Sequence, residues 1–170
     1  MLDEFQEDIT FLAYAVISND VTELHRRYLD AFYEEEFDRP EDPIASTQKR
    51  PMVRREKIRA YIARIGGFGL DPSSGVALTR TISKVYSGYI HGASPQIMEM
   101  YGGDPPRFHV SGMRDTLLFL DHQHDLWNYF YRGIWAFELA AKAFGDEPLF
   151  ASIQQYRNEF ARQSGRESNV

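Results

Sequence analysis

Residues 76–91 read VALTRTISKVYSGYIH, and they show helical periodicity more clearly than any other stretch of the chain. At about 100° per residue, one side of the predicted helix is apolar and the opposite side is polar. Because an apolar side must be buried, the stretch predicts one helix of a bundle, with a polar stripe turned toward water or a partner. The apolar side consists of Leu78, Ile82, Val85, Tyr86 and Tyr89, and the polar stripe consists of Arg80, Lys84, Ser87 and His91.

Helical spacing also dominates the residues before this stretch. Asp20 followed by Glu23 predicts a capping box that opens a second helix, which we expect to end near Phe37. A basic third helix is expected to stop at Gly66. The first helix is predicted from an apolar stripe that should face the core, formed by Leu2, Phe5, Ile9, Leu12 and Val16.

The residues after the stretch predict further helices and no strand. Gly92 is placed to end the central helix, and Ser94 is placed to start a short helical turn that Gly102 and Gly103 end. We expect residues 104–112 to be irregular and residues 114–144 to form a long helix rich in aromatic side chains. A last amphipathic helix should follow from Leu149.

These elements predict an all-α fold, a single helical bundle of about five to six helices with one long aromatic-rich helix. The 170 residues suit one domain over residues 1–170, with residues 163–170 expected to be a flexible tail. A hydrophobic content of 43% excludes a disordered chain, and the absence of cysteine excludes disulfide scaffolds and thiolate metal sites. The acidic start and the lack of a long apolar run favour a cytoplasmic protein that does not enter membranes.

Acidic and basic residues are segregated along the chain. Residues 1–42 hold thirteen acidic and three basic side chains, whereas residues 49–64 hold seven basic side chains and one acidic one. Pairing between the two segments is the simpler interpretation, and separate surfaces for partners are the alternative. The basic segment could follow a phosphate backbone, so its candidate residues for binding nucleic acid or a partner are Lys49, Arg50, Arg54, Arg55, Lys57 and Arg59.

Among the five histidines, His91 is the strongest candidate for chemistry, because it ends the polar stripe at a helix terminus. It could move protons there, or it could simply hydrogen-bond a carbonyl group. His122 and His124 point in nearly opposite directions on a helix and cannot bind one metal together. A metal site formed by Asp121, Asp125 and a distant histidine is the alternative, but polar residues on the surface of a long helix are the simpler interpretation, so we expect no metal and no cofactor. His25 is expected to face solvent, and His109 receives no role.

The helix that ends in SKVYSGYIHG, residues 83–92, resembles the characteristic helix of the HEPN-like superfamily. More narrowly, it is similar to a group of uncharacterised bacterial helical proteins in which a helix with tyrosine and serine ends in histidine. Residues 11–37, with the run YEEE at residues 33–36, resemble the opening hairpin of that group.

This resemblance implies an all-α protein that forms a homodimer and acts in nucleic-acid-associated or defence-related processes. Catalytic members are metal-independent ribonucleases in which an arginine and a histidine meet the same pair from a second protomer. Here Lys84 stands six intervening residues before His91, and the nearest preceding arginine on the stripe is Arg80. Lysine lacks the planar two-pronged guanidinium that arginine offers a phosphate, so the substitution favours a non-catalytic interaction domain that binds RNA or a protein.

Two alternatives follow from the same residues. The first is a metal-independent ribonuclease with His91 as general acid and base and with Lys84 or Arg80 stabilising the developing charge, Ser87 completing the candidate catalytic set. The second is a structural subunit whose main interface is the long aromatic helix.

Overall fold

The structure of the protein is a computed structural model that describes residues 2–33, 39, 41–45, 52–66, 71–111, 113–114 and 116–166. Within these residues the fold is an all-α helical bundle, as the sequence predicts. It contains seven helices rather than five or six, because the short turn after Gly92 forms a helix of its own. The helices are α1 (Leu2–Ile17), α2 (Glu23–Tyr33), α3 (Arg55–Ile65), α4 (Pro72–Ile90), α5 (Ser94–Glu99), α6 (Phe119–Ala143) and α7 (Glu147–Gln163), with a 3₁₀ turn at Pro43–Ala45.

The helices pack in the order α7, α6, α1, α3 and α4, so α1 has a helix on each side. Small side chains on α1, at Ala13 and Ala15, are buried and allow its neighbours to come close. The approach of α3 to α4 is also tight, since a Cβ atom added at Gly75 would lie 3.0 Å from the Cβ of Ala63. No helix in the described ranges is both long enough and apolar enough to span a bilayer.

Phe11 lies at the centre of the core, where α1, α2 and α3 meet, and is fully buried. Its ring stacks on His25 with 4.1 Å between centroids and meets the edges of Tyr28 and Tyr61 at 5.6 and 5.3 Å. Burying one large aromatic side chain contributes about 3 kcal/mol, and the aromatic contacts add to this. Three helices are therefore joined through one ring.

The orientation of α1 differs from the sequence prediction. Phe5 and Val16, which belong to the predicted core-facing stripe, are 62% and 56% exposed. The polar side of α1 is buried as well, and arginines of α3 and α6 pair with its carboxylates. Leu12 of the predicted stripe still packs against the core, so the inward face is shifted toward the polar side, because these pairs hold that side in the interior. The buried polar residues of α1 are Asp3, Gln6, Glu7 and Thr10.

The start of α2 also differs from the expectation. The helix begins at Glu23, and the backbone N–H of Thr22 donates to Nδ1 of His25 at 3.0 Å. Thr22 and His25 thus make the contact that a capping box would make, in place of the predicted Asp20 and Glu23. The side chain of Asp20 pairs with Arg64. The predicted end near Phe37 lies outside the described residues.

The segment between α4 and α6 contains a hairpin that the sequence did not predict. Gly92 has a φ of 62° and ends α4 as expected, but Gly102 does not end a helix. The short strands β1 (Tyr101–Gly102) and β2 (Arg107–Phe108) pair antiparallel, with Tyr101 opposite Phe108. Two residues per strand are too few to show an alternating pattern, which is why the sequence favoured irregular chain here.

The long helix is shorter than predicted at its start. It begins at Phe119 rather than near residue 114, and turns occupy most of the preceding residues. Its end agrees with the prediction, since Gly145 has a φ of 73°. Asp146 then caps α7 by accepting a hydrogen bond from the backbone N–H of Leu149 at 3.0 Å. Of the predicted tail, residues 167–170 lie outside the described residues.

Candidate functional site

The candidate catalytic residues lie on the exposed side of α4. Arg80, Lys84 and Ser87 are exposed on one side of the helix, and His91 is exposed directly after its last residue. Between described residues, no side-chain hydrogen bond or ion pair joins any two of them. In a single chain these four side chains are therefore not joined to one another. They line none of the cavities described below. On the predicted apolar side Ile82 is half-buried, and the side chains of Leu78, Val85, Tyr86 and Tyr89 lie outside the described residues.

The basic segment is divided between two roles, and three of its five described cations form ion pairs within the fold. Arg59 is buried on α3, and its Nε donates to Oε1 of Glu7 at 2.8 Å. Arg55 makes a two-pronged contact with the carboxylate of Asp8, in which Nη2 lies 3.0 Å from Oδ2. Near the end of α3, Arg64 contacts Asp20 at 2.7 Å. These pairs confirm the interpretation that the acidic and basic segments pair within the chain.

The Arg55 pair is strengthened by its partly buried position. Burial alone would lower the pKa of Arg55, but the hydrogen bond and charge of Asp8 outweigh this effect and raise it. A two-pronged contact of this kind is directional and holds both side chains in place. Arg55 and Arg59 are therefore paired within the fold, and their role in binding nucleic acid or a partner stays a prediction.

The other two described cations of the basic segment face outward and, with a cation of α2, form a cationic groove. Arg54 and Lys57 are exposed at the start of α3, and Arg27 approaches from α2. Together they line a groove of about 400 Å³. Among described residues, no carboxylate lies within ion-pair distance of these three cations. The apolar floor of the groove is formed by Leu24, Met52 and Val53. Lys49 and Arg50, also predicted here, lie outside the described residues.

The start of α3 adds to the positive potential of the cationic groove. Arg54 occupies the N-cap position, and no side chain caps the helix there. The first amide groups of a helix lack partners within the helix and carry a partial positive charge. The groove therefore combines three side-chain cations with the positive end of a helix, an arrangement that favours an anionic ligand.

The position of His25 on α2 differs from the sequence prediction. His25 is 2% exposed rather than facing solvent, and it packs between Phe11 and Tyr61. Its Nδ1 accepts the hydrogen bond from Thr22, so the neutral ring fits this position. Burial lowers the pKa of His25. A threonine three residues before a histidine at a helix start is a weak signal that could have indicated this contact.

The remaining histidines are dispersed. His109 lies beside the hairpin, with Nε2 3.2 Å from the carbonyl oxygen of Gly102, so it contacts the backbone. His122 and His124 both lie on α6, where one is half-buried and the other exposed. Across the part of the chain that the structure describes, no group of three or more histidine, aspartate or glutamate side chains is arranged to hold a metal ion.

A second buried ion pair, absent from the sequence prediction, joins α6 to α7. Glu138 is 5% exposed, and Nε of Arg157 lies 2.5 Å from its Oε2. Arg157 also donates to the hydroxyl oxygen of Tyr131 at 2.8 Å. A single carboxylate within the otherwise apolar residues 134–141 was the available signal. The pair fixes the two helices relative to each other, and the charges of Glu138 and Arg157 neutralise one another.

Comparisons of the chain with family models, with curated proteins and with solved structures found no match.

Proposed function

We propose that the protein is a HEPN-like, non-catalytic interaction domain that binds single-stranded RNA through the cationic groove. The observation that carries the proposal is the division of the cations into those paired within the fold and those with no ion-pair partner among the described residues. Arg55 and Arg59 are neutralised by carboxylates of α1, whereas Arg27, Arg54 and Lys57 converge on one groove. Unpaired lysine and arginine side chains bind phosphates by releasing counterions from the nucleic acid.

The floor of the groove supports a single strand rather than a duplex. Met52 is 68% exposed beside the three cations, and Leu24 adds a further apolar side chain. Bases of a single strand are free to pack on apolar or aromatic side chains while the backbone follows the cations. In a duplex the bases are stacked inside, and this apolar floor would have no partner.

We further propose that the domain acts as a homodimer through the outer side of α6. Leu126, Phe130 and Phe137 are 57%, 57% and 64% exposed, and they fall within an arc of about 40° at the helical period. Together with Phe144 they form the α6 apolar stripe, and Phe144 is 91% exposed. Contiguous exposed apolar surface of this kind is typical of protein interfaces.

The ribonuclease alternative has less support in the geometry. His91, Lys84 and Arg80 are exposed on α4 and line none of the cavities described in this chain. Catalysis by this set would need a second copy to bring a matching stripe opposite the first. The structural-subunit alternative requires the α6 apolar stripe and gives no role to the cationic groove.

The test is a binding titration of fluorescently labelled single-stranded RNA, with two matched double variants. Arg54→Glu/Lys57→Glu reverses two cations of the groove, whereas Arg80→Glu/Lys84→Glu reverses two equally exposed cations on α4. We expect the first variant to weaken RNA binding by at least about tenfold and the second to change it by less than about twofold. Circular dichroism would verify that both variants remain folded.

Three outcomes would contradict the proposal. Equal affinity of the groove variant and the wild type would remove the groove as the RNA site. Absence of RNA binding by the wild type would leave a protein partner as the better explanation. RNA cleavage by the wild type in the presence of a chelator, lost in His91→Ala, would favour the ribonuclease alternative.

A further inference from the structure

A second cavity lies on the opposite side of α3 from the cationic groove, where α1, α3, α4 and α6 meet. Its volume is about 540 Å³, within the range of small-molecule sites and many times the space that one water molecule occupies. One wall is polar and is contributed mostly by α1. The other wall is apolar and is contributed by α3, α4 and α6.

The polar wall holds charged groups that are more than nine-tenths buried. Asp3, Glu7 and Arg59 are 7%, 7% and 8% exposed. Glu7 is paired with Arg59, while Asp3 lies 2.7 Å from Nη2 of Arg132 and accepts a hydrogen bond from the hydroxyl of Tyr129 at 3.3 Å. Buried ion pairs of this kind are often no more stabilising than apolar residues of similar volume. Stability alone therefore gives a weak reason for a charged wall.

Among the described residues, three acceptor atoms on this wall have no hydrogen-bond partner. One of them, Oδ1 of Asp3, is compensated by its ion pair with Arg132, which leaves two. The Nε2 of Gln6 donates to the carbonyl oxygen of Tyr129 at 3.1 Å, but its Oε1 accepts none. Oε2 of Glu7 is also without a hydrogen bond, and Nη1 of Arg55 lies 4.0 Å from it. Leaving a buried acceptor unpaired is unfavourable, because it loses its hydrogen bond to water without gaining another. Both residues line the cavity, so a ligand with N–H groups could satisfy them.

The charge of Glu7 is also incompletely compensated. Desolvation by burial raises the pKa of Glu7, although the hydrogen bond and charge of Arg59 act against this. A cation bound in the cavity would stabilise the ionised carboxylate that burial disfavours.

The opposite wall is suited to the apolar part of a ligand. Ile62, Ile82 and Trp135 line it, and the indole of Trp135 packs against the edge of Tyr14 with 6.3 Å between centroids. The indole is thereby held in place at the cavity wall. Apolar lining with a few convergent polar groups is the usual composition of a small-molecule site.

We propose that this cavity binds a small organic ammonium compound with an apolar body. Its N–H groups would donate to Oε1 of Gln6 and Oε2 of Glu7, and its apolar body would lie against Trp135 and Ile82. The site is separate from the cationic groove, so the proposal does not depend on RNA binding.

Two threonines on α4 provide a matched test. Thr79 and Thr81 each donate a hydrogen bond to the carbonyl oxygen four residues earlier, at 2.9 Å in both cases. Thr79 lines the cavity, whereas Thr81 is exposed. Thr79→Phe should therefore fill part of the cavity, and Thr81→Phe makes the same change outside it.

The probe is phenethylammonium, followed by shifts of backbone amide resonances and compared with phenylpropionate, an anion of similar shape. For a probe of about nine non-hydrogen atoms we expect saturable binding in the millimolar range. Wild type and Thr81→Phe should bind alike, Thr79→Phe should lose binding, and Glu7→Gln should bind at least about tenfold more weakly. Glu7→Gln keeps an acceptor for Arg59 while it removes the charge.

The proposal is overturned if phenethylammonium does not saturate the wild type, or if Thr79→Phe binds it as well as Thr81→Phe does. Stronger binding of phenylpropionate than of phenethylammonium would also overturn it, since the cavity would then select an anion. Equal binding of phenethylammonium by wild type and Glu7→Gln would show that the carboxylate does not recognise the ligand.

Discussion

Nε of Arg59 lies 2.8 Å from Oε1 of Glu7, and both side chains are more than nine-tenths buried between α1 and α3. This contact uses a carboxylate from the acidic beginning of the chain and a cation from the basic segment. It explains why the polar side of α1 faces inward, and it removes one predicted nucleic-acid ligand from the surface. Together with Arg55 and Asp8, it joins the two oppositely charged segments.

Removing one partner of this ion pair should lower the stability of the fold strongly. We expect Glu7→Ala to lower the free energy of unfolding by about 3–5 kcal/mol, because Arg59 would remain buried without its partner. The double variant Glu7→Leu/Arg59→Met should recover most of the loss, since it removes both charges. Urea unfolding would measure all three proteins. Lys142→Ala, which breaks an exposed pair with Glu147, should cost less than about 1 kcal/mol and serves as the control. A loss for Glu7→Ala as small as the control's would contradict the buried pair.

The buried ring of His25 should make stability depend on pH. Its pKa is lowered by burial from an ordinary value of 6.5, so the unfolded chain takes up a proton at a higher pH than the folded chain does. The stability that the neutral ring contributes is complete above about pH 6.5, the pKa in the unfolded chain. It is lost as the pH falls through the lower pKa of His25 in the folded chain. His25→Gln retains an acceptor for the N–H of Thr22 but cannot titrate.

The measurement is urea unfolding of wild type and His25→Gln between about pH 5 and pH 8. Wild type should lose more stability than the variant as the pH falls below about 6.5. The raised pKa of Glu7 acts in the opposite direction, because its folded form retains a proton at higher pH, and it is common to both proteins. Parallel pH profiles would show that His25 has the same pKa in the folded and unfolded chain.

The α6 apolar stripe should control oligomeric state. We expect wild type to have twice the mass of one 19.7 kDa chain in light scattering after size exclusion. Phe137→Asp should give a monomer, because a charge would be buried at the centre of the interface. Val110→Asp, at a loop position that is 83% exposed, should remain dimeric. A monomeric wild type over the whole accessible concentration range would contradict the dimer.

Adjacent arginines should differ in their effect on the salt dependence of RNA binding. Arg54 lines the cationic groove, while Arg55 is held by Asp8. Arg54→Gln should reduce the slope of log affinity against log salt by about 0.7, the value for one phosphate contact on a single strand. Arg55→Gln should leave the slope unchanged, although it should destabilise the fold. Equal slopes for wild type and Arg54→Gln would mean that Arg54 does not contact phosphate.

Helical periodicity and the positions of glycine residues were sufficient to predict the class of fold and several helix ends. Gly92 and Gly145 adopt positive φ where the sequence placed the ends of helices, since glycine tolerates this conformation. The hairpin at Tyr101 and Phe108 could not be predicted in this way, because its two-residue strands are too short for a periodic signal.

The sequence by itself determined that the chain forms a helical bundle and that its acidic and basic segments can pair, because these properties depend on local spacing and on composition. Only the tertiary structure decided which cations form ion pairs within the fold and which face the cationic groove. Arg54 and Arg55 are indistinguishable as neighbouring residues, yet one faces the groove and the other meets Asp8 on a helix 47 positions earlier. The same applies to the buried polar side of α1, because partners distant in sequence stabilise it and no local pattern records them.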